Sequence, residues 1–439
     1  MILAARIERE TEIAESQSSS ASSYQGLVVA LAIIYVSPFI SSWLNVFAFV
    51  LLVWRVIKND VRSFSIDYCV LVPVALIFRI PSGLSLLTYL CVFAALWYFS
   101  KEDYVGSSSL VVLVLLLAYY LTRMDLQISS YVLCASQLIL LRALILGQNF
   151  TSMILSANSF CMSFITSSFY ALLLRRSGRL AAIRGAETPA YWGSSAMRFQ
   201  GLYQDPNYYM YLAIVALALL ICLRTKEHIK RIPFLMSAIA VIIFGFATYS
   251  KTFAIIVLFL FIAYVITQLA TGRYLYALVL TTIVPLIAYF ALSFSGSSLS
   301  VVLYRFTSAS NIDELTTGRS ALFSIYATRI LSTPAATLFG LGFDAPILGK
   351  ATHNLYLEIA YYSGLVGLIG FTLYTLLLGV EFRMRTSPVR NRLGIVNYLV
   401  LAAAMLLFAS LHGMFSPSTY VTIYLSLCSL VMPWAESRE

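Results

Sequence analysis

The sequence predicts an all-α protein that crosses a membrane many times, and three observations carry that prediction. Apolar residues make up 60% of the 439 and charged residues only 11%, where a soluble globular domain carries about a quarter charged. Mean hydropathy is +0.86. Apolar runs long enough, or nearly long enough, to span a bilayer recur along the chain. A soluble globular chain is excluded.

The elements follow in order. Residues 1-23 are polar, rich in Ser and Glu, and lack the basic segment and small-residue cleavage site of a signal peptide, so a disordered cytoplasmic tail is expected. Residues 24-174 hold candidate spans at 25-40, 43-57, 66-79, 83-99, 107-122, 128-147 and 152-174. The first four are short, which suits tilted or re-entrant pairs. A polar loop, 175-206, precedes four spans within 207-293, at 207-223, 232-249, 252-270 and 274-293. A second polar loop, 294-353, leads to a final set within 354-439, at 354-379, 394-411 and 417-434. Fourteen candidates result, and about 12 to 14 spans are expected. Cys69, Cys91, Cys134, Cys161, Cys222 and Cys428 fall inside or at the edges of these runs, as small membrane hydrophobes rather than a disulfide framework or zinc site.

Orientation comes from Lys and Arg near short loops, which stay in the cytoplasm. Three basic clusters qualify: Arg55, Lys58 and Arg62; Arg224, Lys226, Lys230 and Arg231; Arg383, Arg385, Arg390 and Arg392. Placing them inside puts both termini in the cytoplasm and both long loops on the outer side. The first loop then breaks the rule, since Arg175, Arg176, Arg179, Arg184 and Arg198 face only Glu187 and Asp205. Long loops translocate regardless of charge; the sharper reading is an anionic ligand bound at the outer face.

Several groups converge there. Arg198 precedes Gly201 and an Asp205-Pro206-Asn207 run that reads as a turn or helix start. Lys251, in Tyr249-Ser250-Lys251-Thr252, marks the outer turn of a tight helical hairpin, either as a snorkelling anchor or as a ligand group. Thr316-Thr317-Gly318-Arg319 precedes a periodic stretch through Leu322, Ile325 and Ile330, a helix expected to lie on the membrane with Arg319 near its start. Phe339-Gly340-Leu341-Gly342-Phe343 reads as a simple turn or a flexible approach to His353. His353 is a cap or surface group on one reading and a general base on the other; a helix start and nearby arginines disfavour imidazolium. Glu358, about one turn into the apolar helix, is a costly placement that could orient His353, contact Asn354 or meet an arginine. His412 faces the same side as a supporting group, while His228 sits in a cytoplasmic basic cluster and reads as structural. Gly364 and Gly367 fall on one face of the helix, where close packing is expected. Tyr203, Tyr208, Tyr209, Tyr356, Tyr361 and Tyr362 suit a sugar-stacking surface or an interfacial belt equally.

His353-Asn354, nine residues, Gly364, two residues and Gly367 resembles the signature of the O-antigen polymerase and O-antigen ligase superfamily. Arg198 with Gly201 and Asp-Pro-Asn, and Thr-Gly-Arg at 317 to 319, resemble it too, and the likeness covers roughly residues 190 to 380. It implies a GT-C-like fold in the bacterial inner membrane and glycosyl transfer at the periplasmic face from an undecaprenyl-pyrophosphate-linked glycan to a hydroxyl. Arg198 and Arg319 would stabilise the pyrophosphate and His353 would take or orient the hydroxyl proton. Lys251, Asn354, Glu358, Arg184, Arg305 and His412 would bind substrate. No metal or cofactor is expected, because side chains supply the cations. The implied partners are the lipid-linked glycan, the bilayer and a chain-length regulator protein, with no nucleic acid. Lys251 departs from the ligase pattern, which has an arginine there, and lysine lacks a bidentate fork. The favoured expectation is therefore a polymerase; the alternatives are a ligase acting on lipid A core and a lipid-linked oligosaccharide flippase.

Overall fold

The computed structural model describes residues 24–101, 107–123, 128–185, 188–190, 196–282, 298–308, 318–348, 351–386, 404, 413–414 and 416–432, with only the backbone of Arg184, Ser298, Leu299 and Thr386. Regular structure in these residues is helical, with two isolated β-bridges, Arg79 to Ser85 and Pro189 to Met197. The helices are α1 (Tyr24–Phe39), α2 (Leu44–Lys58), α3 (Val61–Leu71), α4 (Leu86–Phe99), α5 (Ser108–Thr122), α6 (Ile128–Leu146), α7 (Phe150–Arg176) and α8 (Leu180–Arg184). They continue with α9 (Pro206–Thr225), α10 (Arg231–Phe246), α11 (Lys251–Ala270), α12 (274–282), α13 (Ser298–Thr307), α14 (Arg319–Ile330), α15 (Pro334–Phe339), α16 (Leu355–Thr386) and α17 (Pro417–Val431).

Among the described residues, five helices are long and apolar enough to cross a membrane: α6, α7, α9, α11 and α16. The chain is thus a helical protein of membrane type. Residues 387–403, the expected span at 394-411 apart from Ala404, residues 283–293 of the expected span at 274-293, and the tail at 1-23 lie outside the described residues. Helix α9 is the axis of the bundle, with nearly every residue buried, and α7, α10, α11 and α17 pack around it.

One expected span, 66-79, is not a single helix. Pro73 lacks the N–H needed to continue α3, so the chain passes through a 3-10 turn, Val72–Val74, and a bend to the Arg79–Ser85 bridge. The broken backbone is tolerated because it is buried in protein. Asn45 of α2 donates Nδ2–H bonds to the Ile77 and Arg79 carbonyls, each at 2.8 Å. Arg55, read from sequence as a cytoplasmic marker, is a core residue. Its Nε and Nη2 donate to Asp67 Oδ2 and Oδ1 at 2.9 and 2.8 Å, a bidentate pair whose side chains are 2% and 3% exposed.

Helix α16 is two helices joined at a break. Gly364 has φ 65° and ψ −170°, a conformation open essentially to glycine alone. The break turns carbonyls out of the helix, and the 338–343 segment meets them. Leu341 and Gly342 N–H groups donate to the Tyr361 and Tyr362 carbonyls at 2.9 and 3.0 Å, and Tyr119 Oη donates to the Ser363 carbonyl at 2.6 Å. A side chain on Gly364 would strike the Leu338 carbonyl. Close packing at the glycines is therefore present, but backbone to backbone; the break between Gly364 and Gly367 removes the shared helical face that their spacing predicts. The Gly340–Gly342 turn is likewise a docked strut, with Arg123 Nη2 donating to the Gly340 carbonyl at 2.9 Å.

Helix α14 begins at Arg319, directly after Gly318 at φ 79°. Its buried stripe is Leu322, Tyr326 and Ile330, packed on Ala360 and Tyr361 of α16, while Ile325 is 52% exposed. Two of the predicted tyrosines, Tyr209 and Tyr361, are core residues whose hydroxyls are engaged by Ser168 and by the Pro346 carbonyl. All six cysteines are buried and free.

Candidate substrate site

The end of the first long loop docks on the turn between α10 and α11. Phe199 N–H donates to the Ala247 carbonyl at 2.8 Å, and the Phe199 ring sits between Tyr209 and Phe244, with centroids 5.2 and 5.5 Å away. Gly201, at φ 55°, lies flat on the Tyr209 ring, where any β-carbon would collide. These contacts hold Arg198 in place. Its Nε donates to the Thr248 carbonyl at 2.7 Å and its Nη2 to Asn207 Oδ1 at 3.1 Å.

The Asp-Pro-Asn run is the helix start that its residue types predict. Asp205 caps α9 by accepting from Asn207 N–H at 2.7 Å, and Pro206 occupies the first helical position. On the other side, Tyr249 adopts φ 51° and its carbonyl accepts from Arg305 Nη1 of α13. Two consecutive carbonyls, past the negative end of α10, thus hold two arginines. Arg319, at the start of α14, completes the group, since its charge acts on both Arg198 and Arg305.

Electrostatics make the group unusual. Burial, and then the Arg305 charge, pulls the Arg198 guanidinium down from the arginine range to about 9, with Arg319 acting the same way and Asp205 against it. Burial also lowers Arg305, assisted by Arg319, and lowers Arg319, opposed by Asp205. Among the described residues, Asp205 is thus the carboxylate acting on Arg198 and Arg319, with Arg305 a third desolvated cation beside them. Lys251 opens α11 beside them, with Nζ 5.7 Å from the Phe306 ring centroid. Each arginine carries five N–H donors, so the hydrogen bonds to Thr248, Asn207 and Tyr249 leave much donor capacity.

The residues at the head of α16 form a second part. Asn354 is its cap, accepting from Leu357 N–H at 3.0 Å, and His353 precedes it at φ 48°. Glu358 does not take any of its expected partners in hydrogen bonding. Its Oε2 accepts from the Gly413 and Met414 N–H groups at 2.7 and 3.1 Å, so the carboxylate ties α16 to the chain entering α17. Position 358 faces the bundle interior, which a local i+4 argument does not reveal. Tyr208, in the first turn of α9, lies within Coulombic reach of both Asp205 and Glu358 and so links the two parts. His412, the side chain of Arg184 and Thr316-Thr317 lie outside the described residues.

Sequence reasoning located Arg198, Lys251, Arg305 and Arg319, and the structure gathers them. It missed Asp205 as the counter-charge to Arg198 and Arg319, although a capping acid seven residues after an arginine was a readable signal. The Thr248 and Tyr249 carbonyls had no such signal. Comparison with protein-family models, curated proteins and solved structures gives no match.

Proposed function

We propose that the chain is a membrane glycosyltransferase of the O-antigen polymerase type, moving a growing glycan from a polyprenyl pyrophosphate to a lipid-linked repeat unit. The observation that carries this reading is the convergence of Arg198 and Arg305 on one turn with Arg319 beside them and, among the described residues, Asp205 as the carboxylate acting on Arg198 and Arg319. Concentrating like charges away from water is unfavourable unless an anion completes the set. A pyrophosphate fits, because guanidinium forks bind its oxygens bidentately and more strongly as charge develops on departure.

In the reaction, the acceptor hydroxyl oxygen bonds to the anomeric carbon of the donor sugar. The bond from that carbon to the pyrophosphate oxygen breaks, and the electron pair leaves with the carrier lipid. His353 accepts the hydroxyl proton. Arg198, Arg305 and Arg319 hold the leaving group, with Lys251 as a supporting point charge.

The test is gene deletion followed by gel analysis of surface glycan, with complementation by Arg198→Ala and His353→Ala. Loss of the polymer ladder with one repeat still attached to lipid A supports the polymerase. Loss of all attached glycan assigns a ligase, and lipid-linked repeat accumulating in the cytoplasmic leaflet assigns a flippase. Wild-type banding from both variants would falsify the catalytic assignment.

A further inference from the structure

At the end of the bundle opposite the arginine cluster lies a cavity of about 430 Å³, within the range of small-ligand sites. Three of its lining residues are cations, Arg224, Arg231 and Arg273, carried by the end of α9, the start of α10 and the turn before α12. Glu227 balances only part of this charge, through an exposed pair with Arg273 Nη2 at 2.8 Å. The floor is polar and buried. Gln268, in the last turn of α11, lines the cavity at 2% exposure. Its amide adds a hydrogen-bonding group to the arginine-lined wall.

The remaining wall says what carries that group. Leu275 and Val279 of α12 line the cavity and are 76% and 41% exposed, so an apolar strip runs from the cationic mouth along the bundle surface. A free inorganic anion has no use for that strip. An amphiphile does, with its headgroup among the arginines and its chains along α12.

We infer that this cavity is a site for an anionic phospholipid, its phosphodiester held by Arg224, Arg231 and Arg273 and hydrogen-bonded by Gln268. Basic pockets between membrane helices recognise such headgroups through charge and bidentate hydrogen bonds. The site is separate from the one proposed for the lipid-pyrophosphate donor, and it needs no glycosyl transfer.

The experiment uses full-length protein in neutral detergent, titrated with dioctanoyl phosphatidylglycerol and followed by native mass spectrometry. One tightly bound lipid is expected, weakened about fivefold by Arg231→Gln and about thirtyfold by Arg224→Gln with Arg231→Gln. Arg231→Gln alone guards against misfolding of the double variant, because Arg224 also holds the Ile229 carbonyl at 3.0 Å. Gln268→Leu should weaken binding without changing net charge. Arg319→Ala should leave it unchanged; loss there would mean that the lipid occupies the other cluster and overturns the assignment. Equal affinity for dioctanoyl phosphatidylcholine, or for inorganic phosphate, overturns the anionic phospholipid, as does binding unaffected by the Arg231 and Gln268 variants.

Discussion

Arg55 and Arg198 are both buried arginines, and their surroundings differ in kind. Arg55 meets Asp67 in a bidentate pair, one charge against one charge. Glu381, at the same end of the bundle, has the opposite charge of Arg142 acting on it and accepts from the Ser107 and Ser109 hydroxyls and the Ser109 N–H at 2.7, 2.6 and 2.7 Å, capping α5 from α16. Arg198 is held by neutral oxygens, and the other charges near it are mostly of its own sign. A matched charge holds the fold together. On the proposed reading, an excess held in place by carbonyls is kept for an anionic substrate.

The largest expected effect strikes the matched end. Asp67→Asn leaves Arg55 buried without its counter-charge, a change of about 3–5 kcal/mol, read as a fall in the melting temperature of purified protein. An unchanged melting temperature breaks the contrast from that side. Next comes Arg198→Ala, where turnover of a lipid-linked donor in proteoliposomes should drop about 10²–10³-fold while melting shifts little, because like-charge repulsion is relieved. If the variant unfolds instead, Arg198 belongs with Arg55 and the excess has no functional meaning.

Gly364→Ala sharpens the comparison from the scaffold. The left-handed backbone there and the Leu338 carbonyl against it predict a loss of at least about 1–3 kcal/mol, visible in thermal unfolding; no loss would mean that α16 straightens freely. The smallest effect is pH dependence. Arg198 has its folded pKa lowered to about 9, below that of the unfolded chain, so its charge opposes folding below about pH 9 and stability rises above it. Affinity for a pyrophosphate moves oppositely, and KM for the donor should climb from pH 8 to 10. A flat KM over that interval contradicts the desolvated cluster.

Where the determinants are local, the sequence made them readable. The start of α14 at Arg319 follows from Thr-Gly-Arg before a periodic run, and the cap of α9 follows from Asp-Pro-Asn. Asn354 capping α16 is of the same kind. What escaped were contacts between residues distant in the chain: Arg55 with Asp67 across a turn, Glu358 with the 413–414 backbone, and the Leu338–Gly342 strut in the break at Gly364. Gly364 illustrates the limit well. Its spacing from Gly367 signals packing, yet the same two letters serve a helix face and a helix break, and only the approaching backbone distinguishes them.

By itself the sequence determined the helical, membrane-type architecture, because hydropathy and run length are additive properties of single residues. The basic excess of the first loop pointed to Arg198 but also to Arg175, Arg176 and Arg179, which are exposed and stand apart from the cluster. Tertiary structure alone decided that Arg198 and Arg305 rest on consecutive carbonyls, that Asp205 acts on both Arg198 and Arg319, and that Glu358 braces the bundle rather than the histidine. Those outcomes depend on directions of backbone groups and on burial, which arise when helices far apart in the chain close around α9.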